Sequence, residues 1–290
     1  MSETSDFIRK SFGDGDDIRD EGLTTPEDVL RSDNLQYGPD KLWQLLDVYR
    51  PKDARGTLPV ILSVHGGGWV YGDKERYQHY CLSLAQRGFA VVNFTYRLAP
   101  EFQFPAALED TNLVASWISG HGAEYGFDTG SVFAVGDSAG AHYLSLYAAF
   151  LTNPEYASRY TFSAPQGFRL KAIALDCGKY SFEEMDEQTA LLMQDLLPGK
   201  GNPEEIDTLT TLNHITPDYP PVLYFTAPGD FLKDEAPKLG AKLMECEVPH
   251  VFRFYTSKEE TLLHVFNLNM RSKDGAECND FQCAFFRSFL

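Results

Sequence analysis

The chain has 290 residues, 43% apolar and 23% charged, which suits a globular protein with a full core, arranged as one large α/β domain or two small ones. Acidic residues outnumber basic ones by 42 to 25, and the resulting formal charge of -17 repels nucleic acid and anionic membranes and disfavours polyanionic substrates. No apolar run reaches bilayer length and the opening residues carry no basic-then-apolar leader, so a cytosolic protein acting on a neutral small molecule is expected.

Residues 1 to about 40 are polar, and Asp14 to Glu21 is nearly a run of carboxylates. Thr25-Pro26-Glu27-Asp28 predicts a helix start, with a hydroxyl N-cap, Pro at the first position and acids in the first turn. Short, partly mobile helices lying over the main domain are expected here, with a disordered tail as the alternative for the first dozen residues. Trp43 to Tyr49 and Val60 to Val64 read as strands, the second running directly into His65-Gly66-Gly67-Gly68-Trp69. Three glycines in a row cost backbone entropy and leave amides free to face a ligand oxygen.

Glu75 to Arg87 is amphipathic and helical, closed by Gly88. Phe89 to Phe94 is a continuous apolar run, as parallel strands buried on both faces tend to be. After Tyr96-Arg97-Leu98-Ala99-Pro100-Glu101, Pro105 to Ile118 predicts another helix. Ser131 to Val135 is an apolar strand that breaks at Gly136-Asp137-Ser138-Ala139-Gly140 and continues as a buried helix from Ala141 to Leu151. Lys171 to Asp176, Pro221 to Thr226 and Val251 to Tyr255 are further strands; Leu232 to Cys246 and Asn279 to Leu290 are helices. Strands alternating with helices predict a mostly parallel sheet covered on both faces. Tyr180 to about Thr216 interrupts that rhythm, and a segment so long in a strand-to-helix loop is read as helical cap material.

A serine on a sharp strand-to-helix turn has its hydroxyl lifted clear of the sheet, facing the amides of the helix that follows. Glycines two residues either side are needed because a Cβ there would collide with the turn. Such a hydroxyl needs a base, and the base needs an orienting carboxylate. For this sheet order both follow the serine on loops after late strands, acid first. Asp230 follows the Val222 to Thr226 run, and His264 follows the last strand. Of the competitors, His250 stands at the wrong end of its strand and His142 one helical turn past Ser138 suits the core. His121 and His214 fall in polar loops, and Asp234 is explained as a helix N-cap.

The five cysteines, Cys81, Cys177, Cys246, Cys278 and Cys283, form no C-x-x-C pair and no metal-ligand spacing, so reduced thiols and no metal site are expected. Cys177 suits a small apolar role near a strand end.

Taken in order, the His65 to Trp69 loop, Tyr96 to Glu101, Gly136 to Gly140 and the Asp230 and His264 segments resemble the hormone-sensitive-lipase-like (bacterial family IV) esterases, over about residues 43–266. The resemblance implies an α/β-hydrolase: a mostly parallel eight-stranded sheet with helices on both faces and a helical cap, one domain over 1–290 with cap elements from about 1–40 and 180–216. It implies Ser138 as nucleophile, His264 as base, Asp230 as orienting acid, and the amides of Gly67, Gly68 and Ala139 as the oxyanion hole, with His65 bracing the glycine loop. No cofactor is implied. Ala141 replaces a glycine often found after the serine turn, and Val265 stands where a glycine commonly follows the histidine.

Trp69, Tyr71 and Tyr180 are read as substrate-pocket residues suited to acetyl to butyryl groups, with core packing as the alternative. The expected activity is serine carboxylesterase hydrolysis of short-chain acyl esters. An amidase or arylformamidase on the same triad, as in kynurenine formamidases, is the nearest rival, and a non-catalytic ligand-binding α/β-hydrolase-fold protein is the second. Oligomeric state is left open, a homodimer being one option.

Overall fold

The computed structural model describes residues 2–290; Met1, the first residue of the expected cap, lies outside the described residues. In chain order the elements are α1 (Glu3–Asp20), β1 (Val29–Gln36), β2 (Leu45–Pro51), β3 (Leu58–Val64), α2 (Lys74–Gln86), β4 (Ala90–Phe94), α3 (Ala106–Gly120) and the single turn α4 (Gly122–Tyr125). There follow β5 (Phe127–Asp137), α5 (Ala139–Thr152), the short α6 (Pro154–Ala157), β6 (Ile173–Asp176), α7 (Glu187–Leu196), α8 (Pro203–Leu209), β7 (Val222–Thr226), α9 (Glu235–Glu245), β8 (His250–Phe254) and α10 (Lys273–Arg287). Among the described residues one eight-stranded sheet forms, in the order β1-β2-β4-β3-β5-β6-β7-β8. β2 is antiparallel to both its neighbours, and every pairing from β4 through β3 to β8 is parallel.

Alternation along β3 shows how the sheet is covered. Val60, Leu62 and Val64 face one apolar layer with residues of α3, α5 and α9, while Ile61 faces the other with residues of α2 and α10. Both faces are dry, which is why the inner strands read as continuous apolar runs. Parallel order also sends the C-terminal ends of β3, β5, β6, β7 and β8 to one edge, where the loops carrying Gly67, Ser138, Asp230 and His264 emerge.

Two N-terminal expectations are corrected. The first residues form one 18-residue helix, α1, capped by the Ser2 side chain on the Ser5 amide. Of the carboxylates from Asp14 to Asp20 in it, Asp16 and Asp20 pair with Arg19, and Asp17 pairs with Arg76 of α2. Thr25 to Asp28 starts no helix: the chain turns and enters β1, the antiparallel edge of the sheet. Residues 29–36, expected in the cap, therefore belong to the sheet. A strand that pairs on one side only and faces solvent shows little apolar periodicity, so local capping signals dominated the reading. The 180–216 segment holds α7 and α8, and the Ser2 and Ser5 hydroxyls of the α1 N-terminus both reach Asp195 of α7.

The β5–α5 junction leaves no space. A Cβ on Gly140 would stand 2.1 Å from the Val64 carbonyl oxygen and 2.5 Å from that of His65, and one on Gly136 would stand 2.6 Å from the Gly140 oxygen. Because these neighbours are backbone atoms, nothing flexible can yield. Gly140→Ala is therefore expected to destabilise the fold by about 3 kcal/mol or more, read as a drop in the urea midpoint or loss of soluble protein.

Candidate active site

Ser138 joins β5 to α5 with φ 51° and ψ -119°, a backbone setting that L-residues avoid. Its amide is spent on the Asp176 carbonyl of β6, at 2.8 Å, which anchors the turn to the neighbouring strand. Among the described residues, the amides of Gly67, Gly68 and Ala139 donate to no protein acceptor. Gly67 and Gly68 reach that state at φ 124° and 60°, and a Cβ on Gly67 would strike the Tyr71 carbonyl at 2.1 Å.

The loops after β7 and β8 are stitched together at one point. Gly229 and Leu263 form an isolated parallel bridge, with the Gly229 amide donating to the Leu262 carbonyl at 2.9 Å. This places Asp230 beside His264, whose Nδ1 lies 2.7 Å from Asp230 Oδ1. The carboxylate also accepts from the Leu232 amide at 2.9 Å and the Thr226 hydroxyl at 2.6 Å. Burial pushes the Asp230 carboxyl up, but these bonds and the His264 ring outweigh it and hold the group below the usual carboxylate range. An ionised acid on Nδ1 leaves Nε2 of His264 as the basic nitrogen. Val265 takes the left-handed region at φ 51°, so the valine that replaces an expected glycine carries the strain directly.

Two cavities meet at Ser138. The larger, about 550 Å³, is bounded by His264, Gly67, Tyr71 and Phe231, with Phe12 and Arg19 of α1 as its outer wall. The smaller, about 80 Å³, is bounded by Gly68, Ala139 and Trp69 beside Lys179 and Leu192. Of the expected pocket residues, Trp69 lines the smaller cavity, buried, with its indole Nε1 donating to His142 at 3.0 Å. Tyr71 lines the larger one and donates to Asp16 at 2.9 Å. Tyr180 is corrected: it is buried within the core and lines neither cavity.

Five of the other histidines bond or pack within the fold, and His79 lines a separate pocket between α2 and α10. His142 accepts from Trp69 at Nδ1 and meets the Leu209 carbonyl at Nε2, 2.8 Å away. His65 stacks on Tyr96 at 3.9 Å and holds the Gly66 carbonyl through Nδ1 at 2.8 Å. His250 bonds the Val248 carbonyl, and His121 the Trp117 carbonyl. His214, expected in a polar loop, is buried against the Tyr156 ring at 4.1 Å. Asp234 makes no side-chain cap bond; α9 begins one residue later, and Glu235 turns back to the Tyr180 and Ser181 amides instead.

Several site residues escaped the sequence reading. Asp137, inside the serine motif, accepts from the Tyr77 hydroxyl at 2.7 Å and the Gly66 amide at 3.2 Å, tying the serine turn to the glycine loop. Burial raises its carboxyl to about 6, against those bonds and the His264 charge. Phe231 lies 4.2 Å from the His264 ring, and its place next to Asp230 was the available signal. The α1 wall had none. Cys177, Asp230 and His264 offer ligand atoms within 4.8 Å of one another, but burial pushes the Cys177 thiol well above its ordinary range, which opposes the thiolate a metal requires.

Comparison with known proteins fits this geometry. The BD-FAE family model matches residues 46–232. The chain belongs to the BD-FAE family. This BD-FAE chain is 27% identical over 248 residues to the versiconal hemiacetal acetate esterase of Dothistroma septosporum, covering 76% of the chain and 74% of that protein. It is 34% identical over 131 residues to carboxylesterase NlhH of Mycobacterium tuberculosis, covering 43% of the chain and 41% of the relative. The crystal structure of esterase B from Lactobacillus rhamnosis superposes with a TM-score of 0.90 at 26% identity in its tributyrin-phosphonate-inhibited form, covering all of this chain and 96% of that one. The α/β-hydrolase fold and the hormone-sensitive-lipase-like resemblance are thereby established, and with them the class of serine ester hydrolase. Among the described residues no helix is long and apolar enough to cross a membrane.

Burial holds His65 and His142 down to about 4, in each case against a backbone carbonyl bond that favours the charged ring. Their folded values lie below the unfolded 6.5, so the stability they contribute is full above pH 6.5 and is lost as pH falls toward 4. Ring nitrogen NMR shifts should show both as neutral to about pH 4; titration of either near 6.5 would contradict the burial.

Proposed function

We propose that this chain hydrolyses short-chain carboxylic esters through an acyl-enzyme on Ser138, with His264 as general base and Asp230 as its orienting acid. The observation carrying this reading is one cavity bounded by both Ser138 and a histidine whose Nδ1 is bonded to a buried carboxylate. His264 Nε2 takes the proton as Ser138 Oγ attacks the carbonyl carbon. The developing oxyanion lies against the unspent amides of Gly67, Gly68 and Ala139, the last reinforced by the N-terminus of α5. His264 then gives its proton to the departing alkoxide, and water repeats the sequence on the acyl-enzyme.

Proton delivery also assigns the two cavities. The leaving oxygen must reach His264, so the alcohol occupies the 550 Å³ cavity that contains this ring. The acyl group then takes the 80 Å³ cavity on the Gly68 and Ala139 side. That is the volume of about three waters, which supports acetyl to butyryl groups over longer chains. We assign α1 and the α7–α8 segment to a cap of a single domain, since α1 walls the alcohol cavity and α7 the acyl cavity. Five free cysteines support the cytosolic location read from the sequence.

Ser138→Ala should lower kcat for a short p-nitrophenyl ester by about a millionfold while leaving thermal unfolding intact. Turnover near wild type in that variant would end the assignment. In a chain-length series, kcat/KM should peak at or below the four-carbon acyl group and fall steeply by the eight-carbon one; a flat series would show that the small cavity does not hold the acyl chain.

A further inference from the structure

Lys179 follows β6 and lies in the wall of the acyl-side cavity, with only 8% of its side chain exposed. Among the described residues its one ionic partner is Glu235, and that carboxylate is already spoken for. Oε2 accepts the Tyr180 and Ser181 amides at 3.0 and 2.9 Å, and Oε1 accepts Lys238 Nζ at 2.9 Å. What remains for Lys179 is a 3.5 Å approach to Oε1 and a place over the Phe182 ring, 5.2 Å from its centroid. Both balance charge, and neither satisfies the three N–H donors of an ammonium. An ammonium in a cavity wall with no close protein acceptor takes its hydrogen bonds from whatever fills that cavity. Ile8, Trp69 and Leu192 give that cavity its apolar surface, and Asp186, Gln188 and Thr189 line it as well.

We propose that Lys179 makes the acyl cavity selective for short acyl groups that carry a second oxygen beyond the ester carbonyl, a hydroxyl rather than a carboxylate. This rests on the serine esterase reading above. The volume admits a four-carbon acyl chain, and a hydroxyl on it accepts from Lys179 while its methyl end meets the apolar wall. Two observations select the neutral oxygen. Asp186, exposed at the rim of the same cavity, adds a carboxylate that repels an anionic acyl group. The formal charge of -17 repels it at longer range. Lys179 is accordingly a binding residue that fixes acyl specificity; it takes no part in proton transfer.

The test compares ethyl butyrate, ethyl 3-hydroxybutyrate (both enantiomers) and monoethyl succinate by pH-stat titration of the full chain. One 3-hydroxybutyrate enantiomer should exceed butyrate in kcat/KM on the order of 10- to 100-fold, the range of a hydrogen bond to a charged group. Lys179→Met should bring that ratio to about one, and Lys179→Arg should restore part of it. Labelling with a fluorophosphonate counts reactive Ser138 in each protein. Unlabelled wild-type protein would sink the serine reading itself. Labelled wild type with a ratio near one, or an unchanged ratio in Lys179→Met, overturns the lysine proposal alone, and preference for succinate overturns the choice of a neutral oxygen.

Discussion

The site depends on a turn into which no methyl group fits. Ser138 stands at φ 51° because β5 ends against β3 and β6 while α5 starts at once, and backbone carbonyls of Val64 and His65 occupy the space beside Gly140. Strain of this kind, of order 1 to 3 kcal/mol, persists only where the surroundings over-determine it. Here they do: the Ser138 amide is held by Asp176, whose side chain is held by Asn267, whose carbonyl is held in turn by Asn279 of α10. The hydroxyl is thus lifted from the sheet by a chain of contacts that reaches the far end of the sequence.

A second constraint is electrostatic. The molecule keeps titratable groups deep around the site, and burial favours the uncharged form of His65, His142, Asp137 and Asp176. Burial holds His65 and His142 uncharged over the physiological range, so each can bond its neighbours without adding a cation near the Gly67, Gly68 and Ala139 amides. Asp137 is ordered by Tyr77 and Gly66. Asp230 is pulled down with a histidine on it, and Glu235 is pulled down by the Tyr180 amide and Lys238. Lys179 departs from this pattern: it stands in a cavity wall with Glu235 Oε1 at 3.5 Å, a carboxylate oxygen that Lys238 also holds.

The approach to the site is built from parts far apart in the chain. α1 supplies Phe12 and Arg19 to one cavity and Ile8 to the other, and is fastened to α2 by Arg19 and Arg76, to α7 through Asp195, and to the 99–101 segment by Arg9. Of its acidic residues, which in isolation suggest a solvated tail, Asp16 and Asp20 are half-buried partners of Arg19, and the exposed Asp17 pairs with Arg76. Exposed ion pairs add little individually, whereas a set of them along one helix fixes its position over the cavity.

The sequence by itself determined the core of this protein: apolar runs marked β3, β4, β5, β6 and β7 because strands buried on both faces carry the pattern alone, and a shorter apolar run marked the edge strand β8. It also determined the serine turn, since Gly136, Ser138 and Gly140 at that spacing have a steric reason, and the order of Asp230 and His264, since loop positions follow from parallel topology. Tertiary structure decided what depends on contact between distant segments. β1 became a strand through pairing with β2 despite a helix-like start at Thr25; Tyr180 went to the core while its neighbour Lys179 went to the cavity wall; α1 closed the site. Periodicity reports which face of an element is dry, but neither the partner a polar side chain meets nor the cavity it borders is encoded within one turn or strand of the chain.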